Sequence, residues 1–111
     1  MTLTSCNLFK GSGIELEIEN NSDHPITDVK FTTTEKLSVI EFKKIENNKS
    51  VSEFLKMDKN RSDGSYYLEF KRSNGQNESK EYGYYTNGGP LDNKIIFQVE
   101  NDTISARTSE Y

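Results

Sequence analysis

The sequence predicts an all-β domain: a single antiparallel β-sandwich of immunoglobulin-like type, with about seven strands. Apolar residues recur with a period of two along most of the chain, and turn-forming residues interrupt them about every ten residues. No segment has the apolar spacing of a long helix. A small barrel is the competing architecture. The 111 residues suffice for one domain, which we divide into a leader-like segment and polar linker at 1–13 and a sandwich at 14–111.

The first two strands are predicted by alternation and by the turn between them. Residues 14–19 alternate three apolar side chains with three glutamates, which predicts a half-buried strand with an acidic solvent face. Turn-forming residues fill 20–25. The segment 26–34 then predicts a second strand, with Val29 and Phe31 facing inward.

Two segments in the middle of the chain are ambiguous. Along 37–45 the alternation changes phase between Val39 and Ile40, which predicts either a β-bulge there or partial cover on both faces. Residues 51–57 fit a strand or a short helix. The segment 50–53 has the spacing of a helix capping box, whereas a sandwich requires a strand at this place.

The second half of the chain predicts further strands joined by tight turns. Asn74-Gly75 predicts a two-residue hairpin turn with positive φ at both residues. The Gly- and Pro-containing segment 87–90 is expected to break the chain. The strands predicted in this half are 65–72, 78–86, 94–100 and 103–108.

A tyrosine-rich run followed by a Gly-rich turn, at 82–91, is the most distinctive internal motif. Alternation places Tyr82 and Tyr84 on one face of the strand and Tyr85 on the other. Exposed tyrosines suit binding because the side chain is large, rigid and amphipathic. Tyr85, together with an outward-facing Tyr67, is therefore a candidate contact residue for a carbohydrate or a protein. The interpretation that we favour for the run itself is that one pair of its tyrosines fills the core and that the Gly-Gly-Pro segment sets a corner.

Charge excludes one class of partner and suggests another. The chain carries 14 Lys and Arg residues against 18 Asp and Glu, a net charge of −4, without a basic face. Nucleic acid is therefore not an expected partner. Glu15, Glu17 and Glu19 are candidate contacts for a basic protein, or a solvent face that protects a sheet edge.

No pattern of catalytic or metal-ligating residues emerges, and the sequence predicts neither an enzyme nor a cofactor. His24 is the single histidine and lies in a turn. The segment 58–69 has oxygen-bearing residues spaced as in a calcium-binding EF-hand loop, but Gly64 comes one position late for the required turn. A polar hairpin loop is the favoured interpretation, and a calcium site is the alternative.

The segment Leu3-Thr4-Ser5-Cys6 reads like the cleavage box of a bacterial lipoprotein, which makes Cys6 a candidate lipidation site. Cys6 is the only cysteine, so no internal disulfide forms. No apolar run is long enough to cross a bilayer. The box predicts anchoring in the cell envelope, facing the periplasm or the exterior. If Met1 is the native start, the expected location is the cytoplasm.

On this box, on the segment 18–29 and on the segment 83–91, the chain resembles small uncharacterised lipoproteins of Gram-negative bacteria. The resemblance implies a lipidated cysteine and a compact β-sandwich, and it implies no catalytic residues. We therefore expect a non-enzymatic binding or accessory module that is held at a membrane by a lipid on Cys6. The alternative is a toxin-immunity or enzyme-inhibitor protein that binds a basic protein partner.

Overall fold

The computed structural model describes residues 12–109, and all regular structure in this range is β. The described strands, in chain order, are β1 (Gly13–Asn20), β2 (Ile26–Thr33), β3 (Val39–Ile45), β4 (Lys49–Lys56), β5 (Gly64–Lys71), β6 (Asn77–Thr86), β7 (Gly89–Pro90), β8 (Lys94–Val99) and β9 (Ile104–Ser109). The all-β prediction is confirmed. The described strands are nine rather than about seven, because β4 is a strand and the two-residue β7 adds another. Within 12–109, no helix is long and apolar enough to span a bilayer.

The strands form two sheets. One has the order β4-β1-β8-β9 and the other the order β3-β2-β5-β6-β7. Neighbouring strands are antiparallel except for β1 and β8, which run parallel in register from Glu15↔Lys94 to Asn20↔Val99. The expectation of a purely antiparallel arrangement is therefore wrong at this one pair. The chain leaves the first sheet after β1, returns to it for β4, and returns again for β8 and β9, where β8 takes the remaining side of β1 in the parallel direction.

The inner faces of the two sheets share one apolar core. The Phe31 ring of the second sheet meets the Phe97 ring of the first edge-on, with centroids 5.9 Å apart, and stacks on Tyr66 at 6.0 Å. Burial raises the pKa of the Tyr66 hydroxyl, which donates to the Met57 sulfur at 3.7 Å. This contact of two sheets through one layer of side chains is sandwich-like.

The segment that was ambiguous between helix and strand is β4. Its residues pair with β1 along the whole strand, from Gly13↔Lys56 to Asn20↔Lys49, and Leu55 is buried beside Ile14. A single turn of helix is marginal on its own. The antiparallel ladder joins eight residues of β4 to β1 and buries Leu55, which one turn of helix cannot do, so the capping-box spacing does not produce a helix here.

A bulge in β2 determines which of its side chains point outward. Its pairing with β5 shifts between Thr27 and Lys30, and Asp28 at the shift has a positive φ of 51°. Beyond the bulge Val29 and Phe31 face the core, as predicted. Of the two outcomes expected at Val39–Ile40, a bulge or partial cover on both faces, the bulge is wrong, because the β2–β3 register continues unbroken there. Val39 instead faces outward and is 55% exposed.

The two Asn-Gly pairs form different turns. At Asn74-Gly75 only Gly75 has a positive φ (89°), and its N–H donates to the Arg72 carbonyl at 2.9 Å. This geometry is a type I turn with a glycine bulge, so the predicted two-residue turn is wrong. The two-residue turn occurs instead at Asn87-Gly88, where φ is 51° and 78°, and it joins β6 to β7.

Candidate functional site

A groove of about 550 Å³ lies on the outer face of the five-stranded sheet. We call it the Tyr67 groove and define it by the residues Lys30, Thr32, Val39, Tyr67, Glu69 and Glu81, which β2, β3, β5 and β6 contribute. Sequence analysis identified only Tyr67 of this set as a candidate. The other five share one signal in the sequence, namely the outward phase of the alternation in β2, β3, β5 and β6.

Strand register brings the groove residues together in two adjacent rows across the sheet. From β3 to β6, the first row contains Val39, Thr32, Tyr67 and Glu81. The second row, two residues along, contains Glu41, Lys30 and Glu69. Each strand supplies every second side chain to this face, so residues far apart in the chain become neighbours at strand spacing.

Charged side chains of opposite sign alternate in the second row, but they do not form ion pairs. Lys30 has a glutamate opposite it on each side, Glu41 and Glu69, yet none of the ion pairs within residues 12–109 involves any of the three. The half-buried Tyr67 likewise makes no hydrogen bond through its hydroxyl to the described chain. These polar ends therefore point into the groove with donor and acceptor capacity to spare.

The β2–β3 turn forms one rim of the groove and is held in a constrained conformation. Lys36, which also lines the groove, has a positive φ of 59°, and its N–H donates to the Thr33 carbonyl at 2.9 Å. A non-glycine residue in this region of φ is uncommon. It persists where surrounding contacts determine the backbone, as at ligand-binding sites.

Those contacts come from Glu35, which ties the rim to two other parts of the fold. Its carboxylate accepts from the backbone N–H groups of Arg61 at 3.1 Å and Ser62 at 3.2 Å, and from the Tyr85 hydroxyl at 2.8 Å. The Arg61 N–H bond, aided by those from Tyr85 and Ser62, lowers the pKa of Glu35 against the opposing effect of burial. The rim is thereby fastened to the loop before β5 and to the core end of β6.

Smaller hollows adjoin the groove on the five-stranded sheet. Three of them, of about 290, 320 and 240 Å³, each share Lys30 or Glu69 with the groove. The outer face of the five-stranded sheet is therefore a connected series of depressions, which can accommodate an extended ligand better than a compact one.

Tyr85 is not a surface contact residue, contrary to the sequence-based expectation, because its ring is completely buried. The cause is a bulge at Gly83 (φ 81°), where the β5–β6 register changes from Tyr66↔Tyr82 to Gly64↔Tyr85. The extra residue shifts the phase, so Tyr82 and Tyr85 both face the core side. Tyr84 is left outside and is 50% exposed.

The acidic stripe of β1 is largely engaged within its own sheet. Glu17 forms an ion pair with Lys94 at 2.7 Å, and Glu19 accepts a hydrogen bond from Gln98 at 2.9 Å. The Lys94 ammonium is the main cause that lowers the pKa of Glu17. Glu15 is half-buried, like the other two. The predicted acidic solvent face is therefore a partly covered, internally paired surface, because β1 is a central strand with neighbours on both sides.

The calcium alternative for segment 58–69 finds no geometric support among the described residues. Asn60 is 4% exposed, and its amide donates to the Thr33 hydroxyl at 3.3 Å, while its buried carbonyl oxygen has no partner there. Glu69 lies on the outer sheet face and lines the groove. Within 12–109, no three acidic, histidine or cysteine side chains are grouped to hold a metal ion. Cys6, the candidate lipidation site, lies outside the described residues.

Comparison with known proteins supports the fold and leaves function open. No protein-family model matches the chain, and no curated protein matches it. A solved structure, described as the NMR structure of a protein from Eubacterium rectale, superimposes with a TM-score of 0.59 at 8% identity. The match covers 90% of this chain and 91% of the other. At this identity the likeness shows a shared fold alone.

Proposed function

We propose that the domain is a non-enzymatic binding module and that the Tyr67 groove is its binding site. The observation that supports this proposal is the set of charged side chains, none of them in an ion pair with the described chain, that the groove gathers around Tyr67 from four strands. A concave site with a few convergent polar groups is the usual form of a ligand site. The fastened rim at Glu35 supplies the rigidity that a binding surface needs.

The binding role is tested by co-sedimentation of the full chain with an envelope fraction from a Gram-negative bacterium. We expect saturable binding that Tyr67→Ala reduces at least tenfold. Tyr84→Ala is the matched control, because it removes an exposed tyrosine that does not line the groove. If Tyr67→Ala binds as well as the unchanged chain, the groove is not the site and the proposal is wrong.

We further propose that the module works in the cell envelope, anchored to a membrane through a lipid on Cys6. The support is the Leu3-to-Cys6 box and the polar sequence that follows it before the first described strand, β1. The test is expression from the complete gene with labelled fatty acid. Label and membrane association should both disappear in Cys6→Ser, and equal membrane association of that variant would refute the anchor.

The intramolecular contacts of the acidic stripe favour binding at the groove over the alternative of a toxin-immunity or enzyme-inhibitor protein. That alternative needs Glu15, Glu17 and Glu19 to be available to a basic partner. Glu17 and Glu19 already have partners on β8, and all three are half-buried. A basic partner would have to break these contacts and displace Lys94 before binding, which costs affinity.

We also propose that the strand connectivity is immunoglobulin-like. Strands β1 and β4 pair as immunoglobulin strands B and E do, and β3-β2-β5-β6 follow the order C′-C-F-G. The chain crosses between the sheets at three equivalent places, from β1 to β2, from β3 to β4 and from β4 to β5. The departure is the β8–β9 hairpin, which pairs with β1 where strand A would lie. An experimental structure with a different strand order would overturn this assignment.

A further inference from the structure

Resting on the proposed binding function, we propose that the Tyr67 groove binds a neutral oligosaccharide, with one sugar ring lying over the Tyr67 side chain. The inference names the chemical class of ligand for the same site. It follows from three properties of the groove: its position on a sheet face, its balance of charges, and its single aromatic platform.

The position on the sheet face decides which atoms can recognise a ligand. The groove floor is formed by the paired strands β2 and β5, whose backbone N–H and C=O groups in this stretch belong to the ladder. A peptide that adds as a strand needs a free sheet edge, and this face has none. Recognition therefore depends on side-chain ends alone, and a ligand rich in hydroxyl groups is the kind that such ends can bind.

The balance of charges argues for a ligand without net charge. Two ammonium groups and three carboxylates line the groove, and Lys30 lies between Glu41 and Glu69 across the strands. A polyanion would meet the carboxylates, and a polycation would meet the lysines. A neutral sugar meets both kinds favourably, because each hydroxyl group donates to a carboxylate and accepts from an ammonium.

Tyr67 provides the apolar contact that a sugar ring requires. It is half-buried, and its cross-strand neighbours in the row are Thr32 and Glu81. Glu81 is itself held by the hydroxyl of Ser65. The C–H face of a pyranose packs on an aromatic ring whose face carries negative charge. A hydroxyl-bearing tyrosine adds a hydrogen bond at the ring edge.

The size of the face favours an oligomer over a single sugar. The first row crosses four strands, which spans roughly 14 Å at the usual strand spacing. The neighbouring hollows extend this path around Lys30 and Glu69. A chain of a few sugar rings covers such a path, whereas a monosaccharide contacts only the part around Tyr67.

The direct test is titration of the full chain with defined tetrasaccharides, followed by NMR and calorimetry. The neutral probes are cellotetraose, mannotetraose and N-acetylated chitotetraose, and the charged probes are tetragalacturonate and deacetylated chitotetraose. We expect one or more neutral probes to bind, with amide shifts confined to the groove strands. Affinity should change less than twofold between about 0.05 and about 0.5 M NaCl, because no net charge is screened.

Matched variants identify the contacts. Tyr67→Ala should weaken binding of the neutral probe at least tenfold, whereas Tyr67→Phe, which keeps the ring, should weaken it less than about threefold. Tyr84→Ala should leave it unchanged. Circular dichroism of each variant separates lost binding from lost folding. Equal effects of the Ala and Phe variants would show that the ring is not a platform and would overturn the inference.

The envelope fraction separates this inference from the proposed function. Periodate, which cleaves vicinal diols in sugars, should abolish co-sedimentation if the cellotetraose or mannotetraose probe binds. It should not do so if only N-acetylated chitotetraose binds, because the internal rings of that sugar have no vicinal diol. Protease treatment should leave co-sedimentation intact in either case. If protease abolishes Tyr67-dependent binding and periodate does not, the partner is a protein, so the binding function stands and the oligosaccharide inference fails. Exclusive binding of a charged probe would also refute the inference, as would binding of none of the probes together with periodate-resistant co-sedimentation.

Discussion

Replacement of Gly83 by alanine should destabilise the domain far more than the same replacement at Gly75. Both glycines have positive φ, 81° and 89°, and both lie in strand-associated bulges. They differ in what a methyl group would meet. At Gly83 a Cβ atom would lie 2.9 Å from the Tyr66 ring, whereas at Gly75 nothing lies within 4 Å.

The magnitudes follow from two separate contributions. A left-handed backbone costs an alanine about 1–2 kcal/mol, offset by about 0.4–1 kcal/mol through the lower entropy of the unfolded chain. Gly75→Ala should therefore lose about 1 kcal/mol. Gly83→Ala adds an overpacking cost of about 1–3 kcal/mol, because Tyr66 is fully buried between Phe31 and Tyr85 and has no room to move.

Urea denaturation followed by circular dichroism measures the two variants against the unchanged chain. We expect a total loss of about 2–4 kcal/mol for Gly83→Ala, visible as a lower midpoint at an unchanged slope. The contrast with Gly75→Ala isolates the steric contribution, since the backbone contribution is common to both. Equal losses at the two positions would refute the argument that the Tyr66 ring is a rigid wall behind the bulge.

Three further outcomes are expected. Phe97→Ala should cost about 3–5 kcal/mol in urea denaturation, because it removes the edge contact with Phe31 that joins the sheets; a loss below about 1 kcal/mol would contradict a shared core. Lys94→Ala should destabilise the domain by at most about 1 kcal/mol at neutral pH. This difference in the free energy of unfolding should vanish as pH falls through the folded-state pKa of Glu17, which lies below its ordinary 4.5, because protonation ends the ion pair. A stability difference that persists at low pH would contradict a contribution from this ion pair. Gly88→Ala should prevent the β6–β7 turn from packing against the loop before β5, because its Cβ would lie 2.1 Å from the Asn60 carbonyl oxygen in that loop. Hydrogen exchange at the turn should become rapid; unchanged protection would show that the loop can move aside.

Sequence patterns predict the strands well where one face is buried and the other is not. The segments at 14–19 and 65–72 alternate cleanly and are strands in the structure, and 94–100 is a strand although Ile96, on its other face, is buried as well. Which side chains of a strand face the core is harder to predict, because one extra residue moves every side chain beyond it to the opposite face of the sheet. The bulges at Asp28 and Gly83 are such residues. A glycine inside a strand pattern, such as Gly83, does suggest a bulge, whereas the alternation of 26–34 does not identify the one at Asp28.

The candidate site was predictable only in part for the same reason. The outward position of Tyr67 follows from local alternation, so its role as a candidate was accessible from the sequence. Its neighbours Thr32 and Val39 join it only through the register of β2 with β3 and β5, which is long-range information. Tyr85 was misassigned because the phase shift at Gly83 lies between it and Tyr82.

The two outer faces of the domain differ in how they use their charges, and a pair of substitutions tests this difference. Glu17 on the four-stranded sheet has an ion-pair partner at 2.7 Å, whereas Glu69 on the five-stranded sheet forms no ion pair with the described chain. Glu17→Gln should therefore lower stability and leave ligand binding unchanged. Glu69→Gln should leave stability within about 0.5 kcal/mol and weaken oligosaccharide binding about fivefold to tenfold, since an amide accepts through one oxygen instead of two. The reverse result, with binding lost in Glu17→Gln, would place the functional surface on the opposite sheet.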